Sequence, residues 1–470
     1  MIDGDFGLLS PVSASPAVAA LTGDRAVIAA ILDVEAAWAV VLEEAGLVPA
    51  GSGAVVAEAA EAGSYDVASV AERAQGGGNP VIPLLGDLRA RVKSLDPGAA
   101  SAVHTSLTSQ DVLDSALMLL ASRTVSVLLT EVKRTTTALA TLAGAHAETL
   151  CVGRSLTQHA LPYTFGLKAA QWFQGMAAAA ARLEGLELPI QFGGAGGTLA
   201  SATKLTASSQ STPFDLADSL ASQLGLATAP APWHTNRLAV TSLGDGLAAL
   251  IDSFGKIAAD LLFLSRPEVG ELGEPLAAGR GVSSAMPQKQ NPVLSVLVRS
   301  AALQAPGLAS QLHLAAATFN DERPDGAWHS EWPALRQLLA LALGSAGHVR
   351  ELVEGLRVFP EAMRRNLEIS GPLLLSEGVV AAVAPLLGTD GKQTLQAVVD
   401  ETLKAPAAEQ SRIYTKLLRE TVPADKLSDA ELEALMDPAS YLGEAAEISR
   451  RILAAYPDFT GSSSKGATRG

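Results

Sequence analysis

Residues 110–143 read QDVLDSALMLLASRTVSVLLTEVKRTTTALATLA, a run with neither proline nor glycine. Leu113, Leu117 and Leu120 step by four and three residues, and Leu128, Val132, Thr135, Leu139 and Leu142 do the same. That spacing is one face of a helix. At ~1.5 Å per residue the run spans roughly 50 Å, longer than a compact domain is wide. Ser109 stands as a candidate N-cap, and Asp111 places a negative charge in the first turn, where the helix dipole favours it.

Four similar runs are predicted at about His159–Leu188, Trp233–Leu264, Pro292–Thr318 and Pro333–Leu356. Five long helices separated by Gly/Pro-marked breaks predict an all-α helical bundle. Val269–Pro292 holds four glycines and three prolines and is expected to be a long loop, a common location for function. The chain therefore divides into an N-terminal helical part (1–105), a central long-helix bundle (106–358) carrying the loop 269–292, and a C-terminal part of short helices (359–460). A Gly/Ser-rich tail (461–470) is expected to be disordered.

Composition narrows the function. With 470 residues the chain exceeds one ordinary core. Hydrophobic residues make up 48%, enough to bury a large interior, and aromatics only 4%, which with abundant Ala and Leu favours helix over sheet. A single Cys excludes a disulfide framework and a Cys-based zinc site, and suits a reducing compartment. The 34 basic and 49 acidic residues give a net charge of −15, which argues against nucleic acid as a partner. No basic segment followed by an apolar run opens the sequence at Met1–Phe6, and no uninterrupted apolar stretch of ~18–20 residues is present. A soluble, cytoplasmic protein without membrane contact is expected. No pair of His at i, i+4 with a Glu and no acidic Mg²⁺ cluster stands in the sequence, so neither metal nor organic cofactor is expected.

Three segments could carry chemistry. Gly281-Val282-Ser283-Ser284-Ala285-Met286-Pro287-Gln288-Lys289-Gln290-Asn291-Pro292 packs two hydroxyls, one cation and three side-chain amides into the long loop. Lys289, Asn291 and the backbone amides could wrap an anion; an ordinary polar surface loop is the other reading. His104-Thr105-Ser106-Leu107-Thr108-Ser109-Gln110-Asp111 leads into the 110–143 helix, where free amides and the Thr108 and Ser109 hydroxyls make a carboxylate site or a plain cap. Gly153-Arg154-Ser155-Leu156-Thr157-Gln158-His159-Ala160-Leu161-Pro162 presents His159, either a functional group or a structural His at a helix start.

The first segment resembles the signature loop of the fumarase/aspartase superfamily, Gly-Ser-Ser-x-Met-Pro-x-Lys-x-Asn-Pro. Everything from Ser283 to Pro292 fits, and Val282 replaces a Gly. The second resembles the superfamily's Thr-Ser-x-Asp region, with Ser106 replacing a usual Gly; its Thr-Ser-Gln-Asp-Val form is most similar to the 3-carboxy-cis,cis-muconate cycloisomerase branch. In the third, most lyases of the superfamily carry Gly-x-Thr-His, whose His transfers a proton. Leu156 stands there instead, and the cycloisomerase branch likewise lacks the His and reads Gln-His-Ala-Leu-Pro, as do Gln158–Pro162. Gln191–Ala200, Pro232–Arg237, Glu322–Trp332, Leu9–Val12 and Gly78–Pro83 resemble the same branch, so the resemblance covers roughly residues 5–400. The Gly-rich turn at 193–197 is not a dinucleotide loop, since no strand precedes it.

The resemblance implies a three-domain helical fold whose long helices form a four-chain core, a homotetramer of 222 symmetry, and active sites shared between three subunits. It implies reversible lactonisation of 3-carboxy-cis,cis-muconate, a small tricarboxylate, in protocatechuate breakdown. Ser283, His159 and Lys289 are the implied catalytic residues. His104, Thr108, Ser109, Gln158, Asn291, Arg237, Arg323, Ser284 and Met286 are the implied substrate-binding ones. His234, Arg237 and Arg323 could instead sit in structural ion pairs. Leu156 counts against adenylosuccinate or argininosuccinate lyase activity. The alternatives are an adenylosuccinate-lyase-like or other fumarate-releasing lyase, and an inactive superfamily member with a structural role.

Overall fold

The computed structural model describes residues 7–283, 285–286 and 288–461. Ser284 of the candidate site, residues 1–6 and nearly all of the expected tail (462–470) lie outside the described residues. The fold is all-α, with two small two-stranded sheets among the described residues.

Among the helices that position the site, α1 is Asp24–Glu44 and α2 is Ser109–Ala145, 37 residues long. The stripe read from the sequence is the buried face of α2: Leu113, Leu117, Leu120, Leu128, Val132, Thr135 and Leu139 are all buried. The cap lies one residue earlier than expected. The helix begins at Ser109, and the Thr108 carbonyl accepts from the Val112 amide. Helices α3 (Phe165–Glu184), α4 (Leu238–Leu264), α5 (Val293–Ala317), α6 (Gly326–Glu354) and α7 (Pro360–Ser370) follow. Helix α6 starts before Pro333, which lies inside it rather than at its start.

The expected helix from His159 is wrong at its beginning. Leu150–Ser155 (β1) and Gln158–Thr164 (β2) form an antiparallel hairpin, and helix starts only at Phe165. Ser155 pairs with Gln158, so Leu156 and Thr157 make the turn, with φ of 48° and 71°. Two successive left-handed residues are the signature of the hairpin turn that matches strand twist. Pro162 fits a strand of this two-stranded ribbon better than a helix interior, where it would break a hydrogen bond. The turn is strained because neither residue is Gly or Asn, and Leu156 is 93% exposed, so no packing compensates. Replacing Leu156-Thr157 with Asn-Gly should therefore stabilise the fold by about 1 kcal/mol, read from the midpoint of urea unfolding. An unchanged or lower midpoint would contradict the turn geometry.

The described residues fall into two compact units. One comprises Met1–Val132, Ala179–Gly255 and Leu297–Val349, the other Lys133–Ala178, Lys256–Val296 and Arg350–Gly470. In the first, Trp38, Leu42, Ile190, Phe192, Leu216 and Leu220 form a buried cluster. In the second, Leu375, Val383, Leu395, Tyr414 and Leu418 do so. This partition interleaves segments and differs from the three sequential parts, which stand as a proposed division along the chain. Strands β3 (Leu272–Gly273) and β4 (Arg357–Val358) pair within the second unit.

Three described stretches, Ser109–Ala145, Val293–Ala317 and Pro360–Leu387, are long and apolar enough on average to cross a membrane. None of the three is an uninterrupted apolar run. In Ser109–Ala145, 78% of the apolar stretch is buried in the fold, and the helix carries the buried carboxylates Asp111 and Asp114. That is how a core helix reads.

Candidate active site

In the first unit the start of α2 gathers four of the segments singled out above. The Asp111 carboxylate is the hub. It is buried, and its Oδ1 accepts from the Gly193 amide (3.0 Å) and lies 2.8 Å from His234 Nε2. Its Oδ2 accepts from the amides of Gly194 (2.9 Å) and Thr108 (3.0 Å). One side chain thus ties the helix start to the Gly-rich turn and to the 232–237 segment. Gly193 is required by close approach: a Cβ there would lie 2.8 Å from both His234 Cε1 and Pro232 Cβ. Beside the hub, Arg323 Nη1 donates to Thr108 Oγ1 (2.7 Å) and Nε to Gln110 Oε1 (3.3 Å). Arg323 is half-buried, so a cation and a hydroxyl stand together at a helix N-terminus, an arrangement that receives carboxylates.

Arg237 is a correction. It is buried, and its N–H donors are all engaged within the fold. Nη1 and Nη2 donate to Asp114 (2.8 and 3.0 Å), Nε and Nη2 to Glu331 (3.2 and 2.8 Å), and Nη1 also to the Trp233 carbonyl (3.5 Å). Its guanidinium lies over the Trp233 and Phe319 rings. No donor is left for a substrate carboxylate, so Arg237 is an ion-pair residue of the core. Asp114 also accepts from Gln110 Nε2 (3.2 Å) and Trp328 Nε1 (2.9 Å). Burial pushes the Glu331 carboxyl above the usual carboxylate range, with Arg237 opposing.

His104 adopts φ 62° and Ser106 φ 63°, two left-handed residues just before α2. Two groups of α1 hold this turn. Glu35 Oε1 accepts from His104 Nδ1 (2.7 Å), and Trp38 Nε1 donates to the Thr105 carbonyl (2.8 Å).

In the second unit the loop 269–292 is clasped at its neck. The Asn291 amide and side-chain Nδ2 both donate to the Gly281 carbonyl (2.8 and 3.1 Å), and Gln290 Nε2 donates to that of Arg280 (2.9 Å). Asn291, expected to bind an anion, has an amide hydrogen committed to closing the loop. Glu274 caps α5, accepting from the amides of Leu294 and Ser295 and from the Ser295 hydroxyl. Arg280 pairs with Glu351. Beyond the neck, Ser283 is half-buried while Met286 and Lys289 are exposed. Ser283 Oγ accepts from the amides of Met286 (3.1 Å) and, more weakly, Ala285 (3.4 Å).

His159 lies on β2, with Nδ1 3.0 Å from Ser370 Oγ. Burial, then the nearby Arg154 charge, lowers its pKa, with Glu271 opposing. Its imidazole is therefore neutral at pH 7, suited to accept a proton or hydrogen bond rather than to serve as a cation. Arg154 is itself paired with Glu271 (2.5 Å), which also accepts from Asn366 Nδ2 (2.8 Å). Gln158, next to His159, is exposed. Cys151 is buried, which pushes its thiol up to about 12 and makes it a poor nucleophile. Among the described residues no group of three or more His, Cys, Asp or Glu side chains is arranged to hold a metal ion.

Residues 19–307 match a family model described as a lyase. The chain belongs to this lyase family, part of the fumarase/aspartase superfamily. It is 41% identical to a nitrosuccinate lyase of Streptomyces davaonensis over 444 residues, 94% of this chain and 93% of that one. It is 36% identical to a 3-carboxy-cis,cis-muconate cycloisomerase of Bradyrhizobium diazoefficiens, covering 95% and 97%. The crystal structure of the 3-carboxy-cis,cis-muconate lactonizing enzyme from Pseudomonas putida superposes with a TM-score of 0.87 at 33% identity, covering 97% and 100%. As a member of this family the protein is an enzyme of the lyase/isomerase class.

Measured against the lyase family pattern, the three departures have separate physical accounts. At Val282 the backbone makes a bridge to Gln290 and the side chain is 63% exposed, so no glycine is needed. The left-handed backbone and the close approach belong to Gly281, with φ 66° and a would-be Cβ 2.3 Å from the Asn291 carbonyl oxygen. Ser106 does occupy a left-handed position that favours Gly, and its Oγ lies 3.0 Å from that of Ser201. Leu156, where many lyases of the superfamily carry a His, occupies the exposed hairpin tip.

Proposed function

We propose that this lyase-family enzyme interconverts 3-carboxy-cis,cis-muconate and a carboxymuconolactone. The observation that carries the reading is Leu156 at the hairpin tip, together with the family relationship. A lyase that expels an amine needs an acid to protonate it. A carboxylate leaves as a stable anion and needs none. In the elimination direction, Ser283 Oγ takes the proton from the carbon next to a carboxylate. The C–H electron pair moves into that carboxylate as an aci-carboxylate, then forms the C=C bond as the ring carboxylate departs. Two backbone amides and the Lys289 charge favour the Ser283 alkoxide. Thr108, Ser109, Arg323 and His104 are proposed to hold substrate carboxylates, and the resemblance adds Gln158, Asn291, Ser284 and Met286 as substrate-binding residues. His159 is the alternative proton carrier. Nitrite also leaves without a proton, so the 41% identity to a nitrosuccinate lyase supports a second reading, elimination of nitrite to give fumarate. The deciding experiment gives the purified enzyme each substrate in turn. Loss of the 3-carboxymuconate absorbance supports the first reading, and fumarate with nitrite from nitrosuccinate supports the second.

We further propose a cytoplasmic homotetramer in which each site is completed by other copies of the chain. Helix α5 supports it, since Val296, Leu303 (74%) and Leu314 are exposed on it and each is apolar. Sedimentation should give four times the 48.1 kDa chain mass. A fully active monomer would contradict the assembly.

A further inference from the structure

Glu35 has no part in the chemistry above, yet it is fully buried on α1. Its Oε1 accepts from His104 Nδ1 at 2.7 Å, while Oε2 has no hydrogen-bond partner among the described residues. A buried carboxylate kept only for stability would be expected to have both oxygens satisfied. Its partner ring is 13% exposed, and Nε2 makes no hydrogen bond among the described residues. His104 also sits at φ 62°, a conformation that non-glycine residues adopt at a cost and retain mainly where the surroundings enforce it. The enforcement comes from one face of α1, with Glu35 on the imidazole and Trp38, one turn on, holding the Thr105 carbonyl.

We propose that Glu35 is a positioning residue. It fixes the His104 ring by Nδ1 and presents Nε2, with the negative charge of Glu35 behind it, as the atom that meets a substrate carboxylate. An ionised carboxylate can only accept, so the Nδ1 proton is assigned to His104 and the ring orientation follows. This inference rests on His104 being a substrate-binding residue.

The test combines kinetics on whichever substrate is turned over with carbethoxylation of the histidines, followed by peptide mass. Glu35→Gln should raise KM about tenfold with kcat changed much less. It should also slow labelling of His104 several-fold, with His313 unchanged as internal control. In the double variant E35Q/H104Q, KM should equal that of H104Q alone, because Glu35 acts only through His104. Effects that multiply, or wild-type labelling of His104 in E35Q, overturn the proposal. Wild-type KM in H104Q removes instead the substrate-binding reading beneath it. If E35Q does not fold, Glu35→Asp keeps the charge but withdraws it by one methylene; slowed labelling supports the proposal and a wild-type rate overturns it.

Discussion

Ser283→Ala is expected to lower kcat by about three orders of magnitude and to leave the fold intact. The size follows from the proposed role, since a positioned general base contributes on the order of 10²–10⁴ in rate. The fold is spared because, among the described residues, Ser283 Oγ bonds only to Met286 and Ala285 of its own turn. Losing them at a half-exposed loop costs no more than about 1 kcal/mol. Turnover of whichever proposed substrate the enzyme accepts, with circular dichroism and sedimentation as controls, gives the answer. A loss smaller than tenfold would transfer the proton step to His159. That ring is already neutral at pH 7, because burial and Arg154 lower its pKa. Its protonation on acidification also disfavours the folded state. A depressed His pKa means the unfolded chain binds the proton first, so stability falls as pH drops below the ordinary histidine value.

The legible parts of this molecule were local. The stripe from Leu113 to Leu139 depends only on spacing along one helix, and the same residues are buried in the fold. The 281–292 loop could be located because its composition forbids a helix. The hairpin at 150–164 was misread because Ala, Leu and Tyr suit either helix or strand, and what decides is a left-handed backbone at Leu156 and Thr157 that neither residue type advertises. Pro162 was the available signal. Pairings across the chain were invisible for a different reason. Asp111 reads as a first-turn charge and does accept from the nearby Thr108 amide, but its other three partners are 82, 83 and 123 residues away. Glu35 lies 69 residues from His104. Spacing says nothing about which distant charge will neutralise a buried one.

Arg237→Met is expected to destabilise the protein by about 3–5 kcal/mol, the usual effect of removing one partner from a buried ion pair. The side chain it replaces is 1% exposed and bonded to Asp114 and Glu331, themselves 0% and 2% exposed. Methionine keeps much of the volume between Trp233 and Phe319, so the loss is electrostatic rather than a cavity. The two carboxylates then fare differently. Asp114 retains Gln110 and Trp328 as donors, whereas among the described residues the donors to the Glu331 side chain all come from Arg237. Burial already pushes the Glu331 carboxyl up, and without Arg237 it rises further and takes up a proton. A carboxyl raised in the folded state stays protonated where the unfolded chain has released its proton, so folded stability falls as pH rises through that interval. The deficit of R237M should therefore be smaller at pH 5 than at pH 8 in urea unfolding, and R237M/E331Q should recover part of it at pH 8. A variant as stable as wild type but with a raised KM would return Arg237 to the substrate site. A variant that loses stability, and regains it through Glu331→Gln, fixes the arginine as the counter-charge holding α4 and α6 around the start of α2.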